Sequence, residues 1–200
     1  MAYVVLDIGA GAPTFAQDLR SRNPATKMLV FCGEPQWGIG PFFRAISSER
    51  IERLLVEKKA GVHRITATYA KFNLPDESLD LVTLNSPHPF FFGSVAPIVH
   101  ELRRCLKPGG LFFSSFSLMD LARVPEEFEE IGKGRWDYDT PCIDVSLGKS
   151  SRVSSVRFPQ SPTLSSNIRE HRFGDPRAHG SEYLYADGIS PAWVAWEKPA

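Results

Sequence analysis

Short runs of apolar and β-branched residues recur along the first part of the chain and predict buried strands. They lie at residues 3–6, 27–32, 62–69, 79–84 and 111–116. Between them, apolar side chains repeat at helical spacing in residues 14–22, 42–58 and 95–106. Strands that alternate with helices through short connections are typical of an open, mostly parallel α/β sheet. We therefore predict an α/β fold over this part of the chain.

The pattern changes after about residue 120. Residues 125–131 suggest a short acidic helix, and residues 145–166 are rich in serine, which favours a long loop or a lid. Near the end of the chain, residues 183–185 and 192–196 predict two strands. Joined through the turn at residues 187–188, these strands would form an antiparallel pair at the edge of the sheet.

Together these segments predict a single domain with three parts. Residues 1–120 form the cofactor-binding core, residues 121–180 an irregular lid or substrate region, and residues 181–200 the C-terminal strands. A chain of 200 residues is long enough to bury a substantial core. We expect the protein to be a monomer or a homodimer.

The charge balance and the cysteines narrow the function classes. The chain carries 23 Lys and Arg against 23 Asp and Glu, so its net charge is zero. A nucleic-acid partner is therefore less expected than a small molecule, because each neutralised phosphate needs a cation. Cys32, Cys105 and Cys142 are far apart and form no metal-ligand pair, so we expect neither a disulfide framework nor a metal site.

The cysteines and the apolar runs also indicate the cellular compartment. Three widely spaced cysteines are typical of reduced thiols in the cytoplasm or the nucleus, and the cytoplasm is our expectation. No apolar run is long enough for a transmembrane helix, and the start of the chain does not resemble a signal peptide. We therefore expect no membrane partner.

The main chemical clue is a glycine turn after the first strand. Asp7 ends the apolar run, and Gly9 and Gly11 follow before the helix that starts near Thr14. A dinucleotide site needs a third glycine at the position of Thr14, so that fingerprint fails. An acidic side chain before the glycines attracts an amino group and opposes a pyrophosphate. The turn therefore favours a ligand that carries an ammonium group.

Four segments resemble the motifs of class I S-adenosylmethionine-dependent methyltransferases, in the family's order. They are VLDIGAG at residues 5–11, Glu34 after the second strand, LPDESLDLV at residues 74–82 and ELRRCLKPGG at residues 101–110. The resemblance implies a Rossmann-like sandwich whose mostly parallel sheet has an antiparallel C-terminal edge. It also implies that the cofactor is S-adenosylmethionine.

The same resemblance assigns the cofactor contacts. The methionine part would be held by Asp7, Gly9 and Gly11. The Glu34 carboxylate would accept hydrogen bonds from both ribose hydroxyls, since a diol needs two acceptors. Asn73 and Leu74 would lie beside the adenine.

The segment after the fourth predicted strand indicates the acceptor side. Asn85-Ser-Pro-His88 follows the carboxyl end of that strand, where open α/β sheets bind ligands. It resembles, at two of its positions, the N-P-P-[Y/F] motif of amino-group methyltransferases. We therefore predict that Asn85 and His88 face the acceptor as catalytic residues, and that Asn85 also contacts the cofactor.

A more local resemblance links residues 75–89 to the tRNA guanine-N7 methyltransferases. That family continues with a basic run, whereas this chain continues with three phenylalanines at residues 90–92. The aromatic run favours an apolar or aromatic small molecule as the methyl acceptor, or a partner surface.

The leading hypothesis is a S-adenosylmethionine-dependent methyltransferase that acts on a small molecule. Two alternatives stay open. One is a catalytically inactive methyltransferase-fold binding or scaffold protein, since Pro13 stands where the family has its third glycine. The other is an RNA methyltransferase of the tRNA-modifying kind, which would show salt-sensitive RNA binding.

Overall fold

The computed structural model describes residues 2–8, 14–34, 61–66, 71–84, 96–114, 128–135, 141–159 and 192–199. The strands in this part of the chain are β1 (Tyr3–Ile8), β2 (Met28–Glu34), β3 (Val62–Thr66), β4 (Leu79–Leu84), β5 (Leu106–Ser114), β6 (Glu129–Arg135), β7 (Cys142–Ser146), β8 (Ser155–Pro159) and β9 (Ala192–Glu197). The helices are α1 (Thr14–Arg22) and α2 (Ala96–Cys105). The helix predicted at residues 42–58 lies outside the described residues.

Seven strands form one sheet in the order β3-β2-β1-β4-β5-β9-β6. Strands β1 to β5 pair with their neighbours in parallel. Strand β9 runs antiparallel to both β5 and β6. The predicted α/β fold, with a mostly parallel sheet and an antiparallel C-terminal strand, is confirmed. Strand β9 lies one position inside the edge of the sheet because β6 pairs with its outer side. The other predicted C-terminal strand, residues 183–185, lies outside the described residues.

The large sheet has an apolar core on each face. Every residue of β1 and β4 is buried, because helices or strands cover both faces of a parallel sheet of this kind. Successive side chains of β1 point to opposite faces. Val4 and Leu6 pack on the face that α2 covers, whereas Tyr3 and Val5 pack on the face that α1 covers.

Strands β7 and β8 form a separate antiparallel hairpin that covers the α1 face of the large sheet. Its buried side chains alternate with exposed ones, and they are Ile143, Val145, Val156 and Phe158. Phe158 stacks on Phe113 of β5 with ring centroids 3.8 Å apart. The hairpin is therefore part of the hydrophobic core.

The expected loop or lid at residues 145–166 is wrong for residues 145–146 and 155–159, which belong to β7 and β8, whereas residues 147–154 form the connection between the two strands. The serines of the two strands take the exposed positions, so the serine content conceals an apolar pattern of period two. Residues 160–166 lie outside the described part. The expected acidic helix at residues 125–131 is also wrong at its end, because β6 begins at Glu129 and pairs with β9.

Asn23 joins the hairpin to the end of α1. Its side-chain nitrogen donates to the carbonyl oxygens of Leu19 and Arg157, at 2.6 and 2.8 Å. Its side-chain oxygen accepts a hydrogen bond of 2.8 Å from the backbone N–H of Arg157. One amide side chain thus satisfies both backbone groups of an edge residue of β8, which fixes the hairpin against the helix.

Strand β5 begins at Leu106, although the sequence pattern predicted its start at residue 111. The earlier start comes from non-local pairing. The N–H of Gly109 donates to the carbonyl of Lys198, and the N–H of Lys198 donates to the carbonyl of Gly110, both at 2.9 Å. Gly109 has φ +72°, and a Cβ there would lie 2.8 Å from the backbone of Ser150, so this turn requires glycine.

An ion pair holds the segment before β4 against the end of α2. The Arg104 guanidinium donates to the Glu101 carboxylate at 2.9 and 2.6 Å, and to the carbonyl of Leu74 at 2.8 Å. The same carboxylate accepts a hydrogen bond of 2.8 Å from the N–H of Phe72. Burial by itself would raise the pKa of Glu101, but these hydrogen bonds outweigh burial and hold the pKa below its ordinary value.

We expect Glu101→Gln to lower the free energy of unfolding more at neutral pH than in acid. Because the folded state has the lower pKa, ionised Glu101 stabilises the fold above the ordinary pKa of 4.5. This contribution is lost as the pH falls through the folded-state pKa. Urea titrations at pH 7 and pH 3 measure the difference between the variant and the original protein, which should shrink in acid.

The control for this experiment is Asp144→Asn, which removes an exposed ion pair to Arg157. Exposed pairs contribute about 0–1 kcal/mol, so this variant should differ little from the original protein at pH 7. A destabilisation by Glu101→Gln that is the same at pH 7 and pH 3 would contradict the assigned role of the charge.

Candidate functional site

The chain crosses from one side of β1 to the other between β3 and β4. It runs from β1 to β2 and β3 on one side, and then returns to β4 and β5 on the other side. In open α/β sheets, ligands bind at the carboxyl ends of the strands beside such a switch point. The candidate site therefore lies where the carboxyl ends of β1 and β4 meet.

Asp7 lies at this switch point and is completely buried. The strand register places it beside Cys32 of β2 and Thr83 of β4. The Thr83 hydroxyl donates a hydrogen bond of 2.7 Å to the Asp7 carboxylate. This hydrogen bond joins β1 to β4 across the switch point and orients the carboxylate.

The chemistry of Asp7 suits a bound cation. A buried carboxylate is costly unless hydrogen bonds and positive charge compensate it. The glycines of the sequence motif, Gly9 and Gly11, begin two residues after Asp7, so a ligand that contacts the start of this motif would lie next to the carboxylate. These groups fit the ammonium of the methionine part of S-adenosylmethionine. Gly9 and Gly11 lie outside the described residues.

Glu34 is the last residue of β2, at the same edge of the sheet as Asp7. Gly33 pairs with Ile8, so the backbone of Glu34 lies one residue beyond the end of β1. Glu34 itself pairs with Thr66, the last residue of β3. The structure thus brings the backbone positions of Asp7 and Glu34 to neighbouring strand ends. The side chain of Glu34 is not among the described parts of the structure.

Asn73 and Leu74 do not join this group. The carbonyl of Leu74 accepts hydrogen bonds from Arg104 and from the Cys105 thiol, at 2.8 and 3.7 Å. Arg104 and Cys105 are the last residues of α2, and β5 begins at the next residue. They therefore lie at the edge of the sheet where the parallel strands begin. The placement of Asn73 and Leu74 beside the adenine is therefore not supported: the segment contacts the opposite edge from Asp7.

The predicted acceptor-facing residues, Asn85 and His88, lie outside the described residues. Asn85 directly follows Leu84, the last residue of β4, and Leu84 pairs with Ile8 at the end of β1. The chain therefore leaves β4 at the switch point. The positions of the Asn85 and His88 side chains stay predictions.

Two hydroxyl groups at this edge, those of Thr83 and Ser114, belong to no sequence motif. Thr83 is the one hydroxyl residue in the apolar strand β4, and this polar interruption was the available signal. Ser114 ends β5 and is completely buried. Within the described part of the chain, the Ser114 hydroxyl forms no hydrogen bond. Its position beside Leu84 follows from the register and could not be read from the sequence alone.

No described helix is both long and apolar enough to cross a membrane. No group of three or more His, Cys, Asp and Glu side chains among the described residues could hold a metal ion.

Comparisons with known proteins agree with this architecture. Residues 42–114 match the family model described as a methyltransferase domain. No curated protein matches the chain. The phosphoethanolamine N-methyltransferase 2 of Haemonchus contortus, solved in complex with S-adenosyl-L-methionine, is similar in structure, with a TM-score of 0.51 and 14% sequence identity. That similarity covers 100% of this chain and 49% of that chain.

A second similar structure is the [4+2]-cyclase SpnF, with a TM-score of 0.52 and 15% identity over 100% of this chain and 75% of that chain. These likenesses confirm the Rossmann-like methyltransferase fold, and the methyltransferase domain matched over residues 42–114 agrees with the resemblance to the class I S-adenosylmethionine-dependent methyltransferases. A cyclase among the similar structures also shows that this fold alone does not determine the reaction.

Proposed function

We propose that the protein is a S-adenosylmethionine-dependent methyltransferase whose acceptor is a small molecule. The observation that carries the proposal is the buried Asp7 carboxylate, held by Thr83 across the switch point of the sheet. Gly9 and Gly11 follow Asp7 within four residues of the sequence, and glycines there would allow the polypeptide backbone to approach the amino-acid part of the cofactor closely.

Each residue at this edge would bind a different part of the cofactor. Asp7 accepts from the ammonium of the methionine part, and Thr83 keeps the carboxylate in the orientation that this contact needs. Glu34 accepts from the ribose hydroxyls, while Gly9 and Gly11 allow the close approach. When bound, S-adenosylmethionine supplies an electrophilic methyl group on its sulfonium centre.

On the acceptor side, we propose that the protein aligns the acceptor atom with the methyl group. Methyl transfer needs the acceptor atom in line with the methyl group and needs water excluded. Asn85 would orient the acceptor, and His88 would remove a proton if the acceptor carries one at neutral pH. The balanced charge and the phenylalanines at residues 90–92 support a small acceptor over a nucleic acid.

Calorimetric titration of S-adenosylhomocysteine into the purified protein tests the proposal, and micromolar binding is the expected result. A folded protein that shows no binding up to millimolar ligand would refute the cofactor assignment. It would favour a methyltransferase-fold scaffold protein instead.

Thr83→Val is expected to weaken this binding about fivefold or more. The change keeps the shape of the side chain but removes the hydroxyl that donates to Asp7, and a hydrogen bond to a charged group contributes about 1.5–3 kcal/mol. The matched control is Thr26→Val, at the opposite edge of the sheet beside the start of β2. Equal affinities for Thr83→Val and the original protein would show that the Asp7–Thr83 hydrogen bond does not position the ligand.

A further inference from the structure

We propose that Trp193 forms an aromatic wall of the acceptor site and selects an elongated acceptor with a planar aromatic end. The inference rests on the proposed function, because it places the reacting end of the acceptor at the switch point. It begins with the direction of β9. Val194 pairs with Ser114 and Ala192 pairs with Arg135, the last residues of β5 and β6. Antiparallel β9 therefore brings its first residues to the edge where β1 to β5 end.

Trp193 shares a face of the sheet with Asp7. Asp7 pairs with Thr83, and Thr83 pairs with Phe113. The Trp193 indole stacks on the Phe113 ring, with centroids 6.0 Å apart and planes inclined by 20°. A row of side chains thus runs along this edge from β1 to β9, polar at the switch point and aromatic at the far end. Trp193 is only partly buried.

Two glycines of β6 fix the position of the indole. A Cβ on Gly134 would lie 2.7 Å from Nε1 of Trp193, and a Cβ on Gly132 would lie 3.4 Å from Cη2. The indole therefore lies against a stretch of strand backbone that has no side chains. Glycine weakens a strand interior, and in strands it often marks a place where another group approaches closely. Here that group is the Trp193 ring.

The spacing of the strands sets the length of the acceptor. Three strand spacings separate β1 from β9 in the sheet order, which is about 14 Å. A molecule that reacts at the switch point and also contacts Trp193 must therefore be longer than a single small ring. A partly exposed indole can bind planar rings by stacking. The geometry points to an acceptor with a nucleophilic atom at one end and an aromatic system at the other.

The test uses 6-aminoquinoline, a planar bicyclic amine too short to reach the switch point, as a fluorescent probe of the aromatic wall alone. Its binding is followed by fluorescence anisotropy, with and without saturating S-adenosylhomocysteine. We expect binding to the original protein and a loss of about tenfold or more in affinity in Trp193→Ala. Trp193→Phe covers the case in which Trp193→Ala does not fold, with a smaller loss. Gly134→Ala should also weaken binding, because the new Cβ displaces the indole.

Trp196→Phe is the matched control, since Trp196 lies on the same strand but stacks on Phe112 on the opposite face. It should leave the affinity for the probe unchanged. Affinity for S-adenosylhomocysteine should change less than twofold in all Trp193 variants.

The two proposals can therefore fail separately. Loss of probe binding in Trp193→Ala supports the aromatic wall even if S-adenosylhomocysteine does not bind. Equal probe affinity in Trp193→Ala, or no probe binding to the original protein below millimolar concentration, overturns the inference.

Discussion

Asp7→Asn is expected to weaken the binding of S-adenosylhomocysteine about 10- to 100-fold. The substitution keeps the size of the side chain and an oxygen that can accept from Thr83, but it removes the negative charge. A hydrogen bond between charged groups in a buried position contributes about 1.5–3 kcal/mol, which corresponds to a loss of this size. Calorimetric titration measures the dissociation constant, and thermal unfolding shows that the variant is folded.

Asp80→Asn is the matched control for this prediction. Asp80 is buried like Asp7 and lies on the neighbouring strand β4, but at the amino edge of the sheet. Its carboxylate accepts from the N–H of Val4 and from the Lys107 ammonium, both at 2.8 Å. This variant should lose stability yet bind S-adenosylhomocysteine with unchanged affinity while folded. Equal losses of affinity in Asp7→Asn and Asp80→Asn would mean that the loss reflects folding and not a contact with the ligand.

Phe158→Ala is expected to lower the free energy of unfolding by about 3–5 kcal/mol. Phe158 is completely buried and stacks on Phe113, so truncation leaves a large cavity between the hairpin and the main sheet. Equilibrium unfolding in urea measures the change. The result distinguishes a core hairpin from a lid, because truncation within a lid leaves the stability of the domain nearly unchanged.

Ser155→Ala provides the comparison on the same strand, since Ser155 is exposed and begins β8. Exposed substitutions away from special contacts usually change stability by less than about 0.5 kcal/mol. If Phe158→Ala were as mild as Ser155→Ala, the hairpin would not belong to the cooperative core.

The elements that sequence predicts correctly are those with local signals. The apolar run of residues 3–6 and the stripe of residues 95–106 correspond to β1 and α2 within a few residues. Their neighbours in the fold do not need to be known, because a continuous apolar run or a helical stripe already specifies the element. The rules for alternating α/β chains restrict the possible strand orders, but the order itself is known from the structure.

Strand β6 could not be predicted in this way. Its sequence, EEIGKGR, has few apolar residues and two glycines, so local propensity argues against a strand. Pairing with β9 forms the strand, and the Trp193 ring occupies the space that the glycines leave. Both contacts join segments about 60 residues apart, and no local pattern reports them.

The site was predictable only in part for a similar reason. Asp7 and Glu34 lie at the carboxyl ends of neighbouring parallel strands, so their common edge follows from the parallel sheet. Asn73 and Leu74 belong to a segment whose edge depends on the contacts of Arg104, which no motif reveals. Thr83 matters because the register pairs it with Asp7, and register is a property of the folded sheet.

A crystal structure of the protein with S-adenosylhomocysteine tests the central claim most directly. We predict that the ligand binds at the carboxyl ends of β1 and β4, with its ammonium within hydrogen-bond distance of the Asp7 carboxylate and its ribose at the end of β2. A ligand bound elsewhere, or one whose ammonium makes no contact with Asp7, would contradict the proposed cofactor site.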